Sequence, residues 1–386
     1  MKKSVKRVIG IMMCIMMLSG CSTGKQENVP NSNNTENITN ENFSNSTGIT
    51  GIVPEFPDVY KKDNGNVSFD CDVIVESDFN NQKIYTATAR LRKIDVETAF
   101  NILYSDIQEY ETYAYEEKNE FGETVDTVTY VDKNETSFSY GPLSSRFSYG
   151  RMTKLPYVLS AFRMDEKYDD YNANLYSTEQ QLNFADREDV YDNLMQLFGD
   201  INASTDYRYT AYALEHSIME SEEYHMDMDG NRDNASYKES WSEEDDCYFF
   251  AMRQTFGGIP VYHKYAELFV EESDANTPVQ VLVSAEGIED LSIEKIFAFE
   301  NAEEVEKLVS FEEIAQTAAD KFNMILGNGT YTFTSAELYY YVDLSKENGI
   351  YSVYPCWILK GTQNTNEGTG NIQVIVDAQT GEEIIP

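Results

Sequence analysis

Apolar and polar residues alternate through Val67-Ser68-Phe69-Asp70-Cys71-Asp72-Val73-Ile74-Val75, and comparable short runs recur to the end of the chain. A period of two puts one side of a strand on a core and the other in water, so this chain has to build sheets. Further strand-like runs are Tyr85 to Leu91, Glu111 to Glu117, Thr124 to Val131 and Ser137 to Tyr140. They continue with Arg208 to Ile218, Tyr248 to Phe256, Val261 to Val270, Val279 to Val283, Ile293 to Phe299, Tyr331 to Leu344, Tyr351 to Leu359 and Ile372 to Asp377. Helical spacing is rarer. Asp95 can cap a helix over Val96 to Leu103, with Val96, Ala99, Phe100 and Leu103 on one face. A second helix is expected from Arg187 to Phe198, with Gly199 as its C-cap. The capping box Ser310-Phe311-Glu312-Glu313 opens a third, running to about Leu326 and ended by Gly327. Strands in blocks with helices between the blocks predict an α+β fold of antiparallel sheets, each packed by one or two helices.

Composition divides the 386 residues. From Ser22 to about Thr50 the chain is rich in Asn, Ser, Thr and Gly with little to bury, which predicts a disordered tether over 21–60. A coil of ~40 residues spans ~35 Å on average. The triplets Asn37-Ile38-Thr39 and Asn45-Ser46-Thr47 fit the glycosylation pattern but read here as composition alone. The folded part is expected as an N-terminal α+β domain, 61–175, and a C-terminal α+β domain, 176–386.

Ahead of the tether, Lys2, Lys3, Lys6 and Arg7 precede an apolar stretch from Val8 to Leu18, and Leu18-Ser19-Gly20-Cys21 follows. The apolar run is about half the ~20 residues of a membrane span, so 1–20 reads as an export signal peptide. The last four residues resemble the lipobox of bacterial lipoproteins. That resemblance implies cleavage before Cys21 after its sulfur has received a diacylglyceryl group, with acyl chains of the palmitate kind. The expected localisation is the extracellular face of the cell membrane, lipid-anchored through Cys21.

Formal charge is −38. Losing the signal removes four basic and no acidic side chains and leaves −42. Such a field repels nucleic acid and anionic headgroups and draws in cations or basic partners, so no nucleic-acid partner is expected. With Cys14 discarded and Cys21 acylated, Cys71, Cys247 and Cys356 remain, an odd set expected as buried, inert thiols.

Chemistry-bearing patterns are sparse. Asp227-Met228-Asp229-Gly230-Asn231-Arg232-Asp233 spaces oxygen donors as a calcium loop begins, which makes Asp227, Asp229, Asn231 and Asp233 candidate metal ligands. Against that, Arg232 stands where a glycine must turn and Lys238 where a bidentate Glu must close the site, so a hairpin turn through Asp229-Gly230-Asn231 is the favoured reading. His216, His225 and His263 lack zinc spacing; His216 and His263 read as half-buried strand residues. No Gly-x-Ser-x-Gly, Ser-x-x-Lys, phosphate loop or dinucleotide fingerprint occurs, and Gly257-Gly258-Ile259-Pro260 reads as a tight turn. The acidic run Glu243-Glu244-Asp245-Asp246 reads as a solvated loop. Tyrosines number 28, and Tyr339-Tyr340-Tyr341 must point to both faces of one strand.

The segment from Phe69 to Val75 before a short helix, and the tail from Phe311-Glu312-Glu313-Ile314 through Tyr354-Pro355-Cys356-Trp357 to Val376-Asp377-Ala378-Gln379-Thr380-Gly381-Glu382, resemble a family of uncharacterised lipoproteins of Firmicutes. The tail also resembles the YycH/YycI and PepSY type of extracytoplasmic domain, where a helix packs on a sheet whose last strand ends in an Asp-Ala-x-Thr-Gly turn. The resemblance implies tuning of envelope kinases or proteases rather than catalysis. Taken together, a non-enzymatic membrane-anchored lipoprotein of the cell envelope is expected, without cofactor, presenting a tyrosine-lined, acidic surface to an envelope protein partner. The alternative is a lipoprotein that binds a small cationic ligand or calcium.

Overall fold

The computed structural model describes residues 56–75, 83–105, 107, 109–118, 124–141, 146–163, 172–227, 230–263, 277–324, 329–345, 349–366 and 368–385. The signal segment, Cys21 and most of the expected tether lie outside these residues, as do Asp229 and the turn at 119–122.

In chain order, strands β1 (Val59–Asn64), β2 (Val67–Ile74) and β3 (Tyr85–Leu91) lead into helix α1 (Val96–Leu103). Next come β4 (Tyr110–Lys118), β5 (Thr124–Asp132), β6 (Thr136–Gly141) and β7 (Arg146–Arg151), then α2 (Leu155–Ala161) and α3 (Arg187–Asp200). The middle of the chain forms β8 (Tyr207–Leu214), α4 (His216–Glu222), β9 (Cys247–Phe256), β10 (Ile259–Pro260), β11 (Val279–Ser284), β12 (Gly287–Ile293) and β13 (Phe297–Glu304). Helix α5 (Phe311–Asn323) and strands β14 (Thr330–Asp343), β15 (Tyr351–Thr365), β16 (Gly368–Asp377) and β17 (Glu383–Ile384) complete it. The fold is α+β.

The first sheet runs β1-β2-β14-β15-β16-β17, with β3 beside the start of β15 and β13 outside β3. Its pairs are antiparallel except β2 with β14, which is parallel. One face carries α5. The capping box forms as expected, with Glu313 N–H donating to Ser310 Oγ and Ser310 N–H to Glu313 Oε2. The helix then buries Phe311, Ile314, Ala315, Ala318, Ala319 and Phe322 on the sheet. Phe311 meets the buried Trp357 edge-on at 5.2 Å, and Phe322 lies 5.7 Å from Phe333. Each such ring contributes ~2–3 kcal/mol by burial. At the chain's end the Asp377-Ala378-Gln379-Thr380-Gly381 turn closes because Asp377 Oδ1 accepts from the Gln379 and Thr380 amides.

The second sheet runs β9-β11-β12-β7-β6-β5-β4, with β8 along β9 and β10 at β9's end. α1 and α3 cover one face through Ala99, Val190, Leu194, Leu197 and Phe198. α2 and α4 cover the other, with Leu155, Val158, Ala161 and Met219 against Cys247, Phe249 and Leu282. The sheets are stitched where Gln254 accepts from Phe297 N–H at 2.9 Å and donates to Phe297 O at 2.7 Å, and where Arg208 meets Glu337 at 3.1 Å.

Several expectations are corrected. β1 starts at Val59, and Phe56 packs edge-on against Trp357 at 4.9 Å, so the last residues assigned to the tether are docked. Gly199 lies inside α3, which runs to Asp200 and is capped by Ile201. The expected strand from Arg208 to Ile218 stops at Leu214, and a helix begins at His216. The run Ile293 to Phe299 is broken: β12 ends at Ile293, Lys295 takes φ 43°, and β13 starts at Phe297. Both sheets draw strands from either side of residue 175, so that boundary does not separate one sheet from the other.

Candidate functional site

Five pieces of chain converge on an open cleft of about 800 Å³ at one end of the second sheet. The last turn of α1 supplies Ile102 and Leu103, and the chain after it supplies Ser105, Ile107 and Glu109. Asp132, at the end of β5, folds its own turn: Oδ1 accepts from Asn134 N–H at 2.9 Å and Thr136 N–H at 2.7 Å. Tyr149 and Arg151 enter from β7, Glu286 from the β11–β12 turn and Ile288 from the start of β12. The aliphatic wall includes Ile102, which is 46% exposed.

Arg151 organises the polar floor. Its guanidinium bonds Glu286 Oε2 at 2.8 Å and Glu289 Oε1 at 3.3 Å. Glu289 is fully buried, because the β11–β12 register shifts between Leu282 and Val283 and this residue occupies the extra position. Its Oε1 also accepts from Ser284 Oγ and faces Lys154 Nζ at 3.7 Å. Taking a carboxylate out of water is costly unless cations and donors such as these stand beside it. Burial raises the Tyr149 phenol above its ordinary value, with Arg151 acting the other way. The lining sets charge and hydrogen-bonding groups beside an aliphatic wall, which suits a side chain of a protein or peptide. Sequence reasoning missed Arg151 and Glu289, because a bulge leaves no trace in the alternation of a seven-residue strand.

The residues singled out from sequence lie elsewhere. Met226 bridges Arg232 around a turn in which Gly230 has φ 80°. Asp227 Oδ1 accepts from Asn231 N–H at 2.8 Å, and Asp233 accepts from Ala235 N–H and Ser236 Oγ. Asp227 and Asp233 therefore spend carboxylate oxygens on the loop's own backbone and hydroxyl, and Asn231 serves as a donor to Asp227. Among the described residues no three His, Cys, Asp or Glu side chains are grouped to hold a metal ion. The hairpin is latched by Glu223, a buried carboxylate that accepts from Trp241 Nε1 at 2.8 Å and Lys238 N–H at 2.7 Å and sits 2.8 Å from His225 Nε2.

His216 opens α4 rather than riding a strand, and its Nδ1 lies 2.7 Å from Asp246 Oδ1. The acidic run 243–246 is likewise no solvated loop throughout. Asp245 and Asp246 are buried, the first held by Lys238 Nζ and Ser242 N–H and the second by His216. His263 is buried outside the named strands, and burial together with Lys295, Arg253 and Arg146 pushes it down to about 3. Cys71, Cys247 and Cys356 are free and buried. Burial pushes Cys71 up to about 12 and raises the other two, which makes thiolate chemistry unfavourable. In the tyrosine run, Tyr340 points to the α5 core and Tyr339 to the opposite face, with exposures of 0% and 2%. Tyr341 stacks on Tyr262 at 5.7 Å. Tyr339 and Tyr340 are thus buried and Tyr341 half-buried, so this run does not itself display a tyrosine face.

No family model matches the chain. No curated protein matches it either. Among solved structures, the crystal structure of an uncharacterised protein from Eubacterium rectale is similar over 86% of this chain and 94% of that one, with a TM-score of 0.54 and 14% identity. At that identity the likeness shows the fold alone. The C-terminal domain of YpeB from Bacillus megaterium covers 74% of this chain and 92% of its own, at a TM-score of 0.26 and 11% identity, too slight a likeness to carry even the fold. No helix among the described residues is long and apolar enough to cross a membrane.

Proposed function

We propose that this protein is a non-enzymatic, extracytoplasmic module, anchored by lipid at Cys21, which binds an envelope protein through the cleft between α1 and the β5–β6 and β11–β12 turns. The observation that carries the reading is that cleft: an open, ligand-sized hollow with an exposed aliphatic wall and a charged floor already organised by Arg151. The basic-apolar-Cys21 leader supports the anchor. The formal charge of −38 favours a basic protein surface over nucleic acid as partner.

A photo-crosslinking residue placed at Ile102 of the anchored protein in intact cells tests this, with Met324, 77% exposed, as the comparison site. A discrete membrane-protein adduct from Ile102 alone is expected, lost on Cys21→Ala. Equal labelling from both sites, or anchoring undisturbed by Cys21→Ala, refutes the proposal. A rise in unfolding temperature with millimolar calcium would favour the cation-binding alternative instead.

A further inference from the structure

The sheet edges are guarded unequally. β1 is tied to α5, where Glu312 accepts from both Tyr60 and Lys62. β17 has two residues, β13 is bent by a register shift between Glu300 and Glu303, and Ser177 bridges the outer side of β8 at Ala213. β4 has none of these devices. Its nine residues pair β5 in unbroken register from Tyr110 with Asp132 to Lys118 with Thr124, without proline or bulge. Its outer edge pairs with no strand among the described residues, and Glu111, Thr112, Ala114 and Glu116 stand exposed. A long edge with unbroken register is a template for one more strand, and its exposed glutamates set the charge that strand must carry.

Charge decides the occupant. Glu109 and Glu111 fall on one face with Tyr113, and Glu116 falls on the other with Tyr110, Thr112 and Ala114, so both faces of this edge carry acid. A second copy of β4 would lay one acidic strand, with Glu111 and Glu116 exposed, beside another, and like charges across a strand pair are destabilising. Lysine or arginine opposite Glu111 gives the favourable pair instead. Glu109 lines the cleft and directly precedes β4, so a segment lying along this edge runs into the hollow beside Ile102 and Ile107.

We propose that the outer edge of β4 accepts, as a tenth strand of the nine-stranded sheet, an extended basic segment of the protein partner, and that an apolar side chain at the end of that segment seats in the cleft. This rests on the protein-binding reading above.

The test uses the full chain in detergent micelles and three fluorescent decapeptides, alternating Lys-Val, Lys-Pro and Glu-Val, at physiological salt. Saturable binding of Lys-Val is expected, with the E111K/E116K double variant and the Lys-Pro peptide each binding about tenfold more weakly or worse. Lys-Pro keeps the charge but lacks half the amides a ladder needs. Amide exchange should slow over 110–118 when Lys-Val binds. No saturation up to about 1 mM, equal binding of Lys-Pro, or protection confined elsewhere overturns the proposal. A dimer in sedimentation that E111K/E116K strengthens or abolishes would instead assign the edge to a second copy. Crosslinking at Ile102 without peptide binding leaves the partner reading standing and removes only the added strand. Loss of crosslinking with peptide binding intact does the reverse.

Discussion

Replacing Gly361 with alanine should unseat the central strand pair of the first sheet. Gly361 of β15 lies opposite Phe333 of β14, where the register shifts between Phe333 and Ser335. A Cβ there would stand 2.0 Å from Thr332 O, 2.7 Å from Phe333 Cα and 2.8 Å from Thr332 C. All three are backbone atoms, so no rotamer change relieves the clash. Restoring an ordinary contact moves the strands apart by more than ~1 Å, which stretches the flanking ladder hydrogen bonds beyond useful length. Losing about two of them costs ~1 kcal/mol each, and overpacking adds ~1–3 kcal/mol. Phe333 also leaves its stack on Phe69, 5.2 Å between centroids. The expected loss is therefore ~3–5 kcal/mol, a large share of the ~5–15 kcal/mol typical of a folded domain. Urea unfolding followed by tryptophan fluorescence reads it, since Trp357 is buried in the same sheet. A destabilisation under ~1 kcal/mol would refute the claim that the two backbones meet at a glycine-sized gap.

Gly199→Ala is the converse: a Cβ there meets nothing within 4 Å inside α3, so a gain of ~0.5–1 kcal/mol in the same assay is expected. His263, held near 3 when folded, takes up its proton near 6.5 when unfolded, so its stabilising contribution is complete above that pH and lost as pH falls toward 3. Between pH 7.5 and 5 the native protein should lose ~2 kcal/mol more than His263→Gln, measured by urea midpoints; parallel losses would sink this assignment. Glu223→Ala strips partners from Trp241 Nε1 and the Lys238 amide, at ~3 kcal/mol, and should expose the 226–245 segment to limited proteolysis while distant segments stay protected.

Local signals were legible and distant ones were not. Period-two alternation located β2, β3 and the tail strands, and side-chain caps located α1 and α5, because those devices act within a few residues. Asp95 does accept from Thr98 N–H at 3.0 Å, as its position suggested. β7, β12 and the break at Lys295 escaped notice, since short strands of mixed polarity resemble loops. Asp245 and Asp246 looked like solvated charge because the neutralising groups, Lys238 and His216, come from outside the run. The cleft was invisible for the same reason: Arg151 and Glu289 meet across a sheet, and only a bulge turns Glu289 inward.

The parallel pairing of β2 with β14 joins positions such as Ser68 and Thr332, 264 residues apart. A ribosome must therefore deliver most of the polypeptide before the paired β1 and β2 can find β14, and until then the apolar side of β2 waits uncovered. Maturation of this half of the molecule is obligatorily late and slow, governed by closure of one very long loop. Any stop or cleavage upstream of residue 330 would leave Phe69 and Cys71 facing water, with aggregation as the default fate.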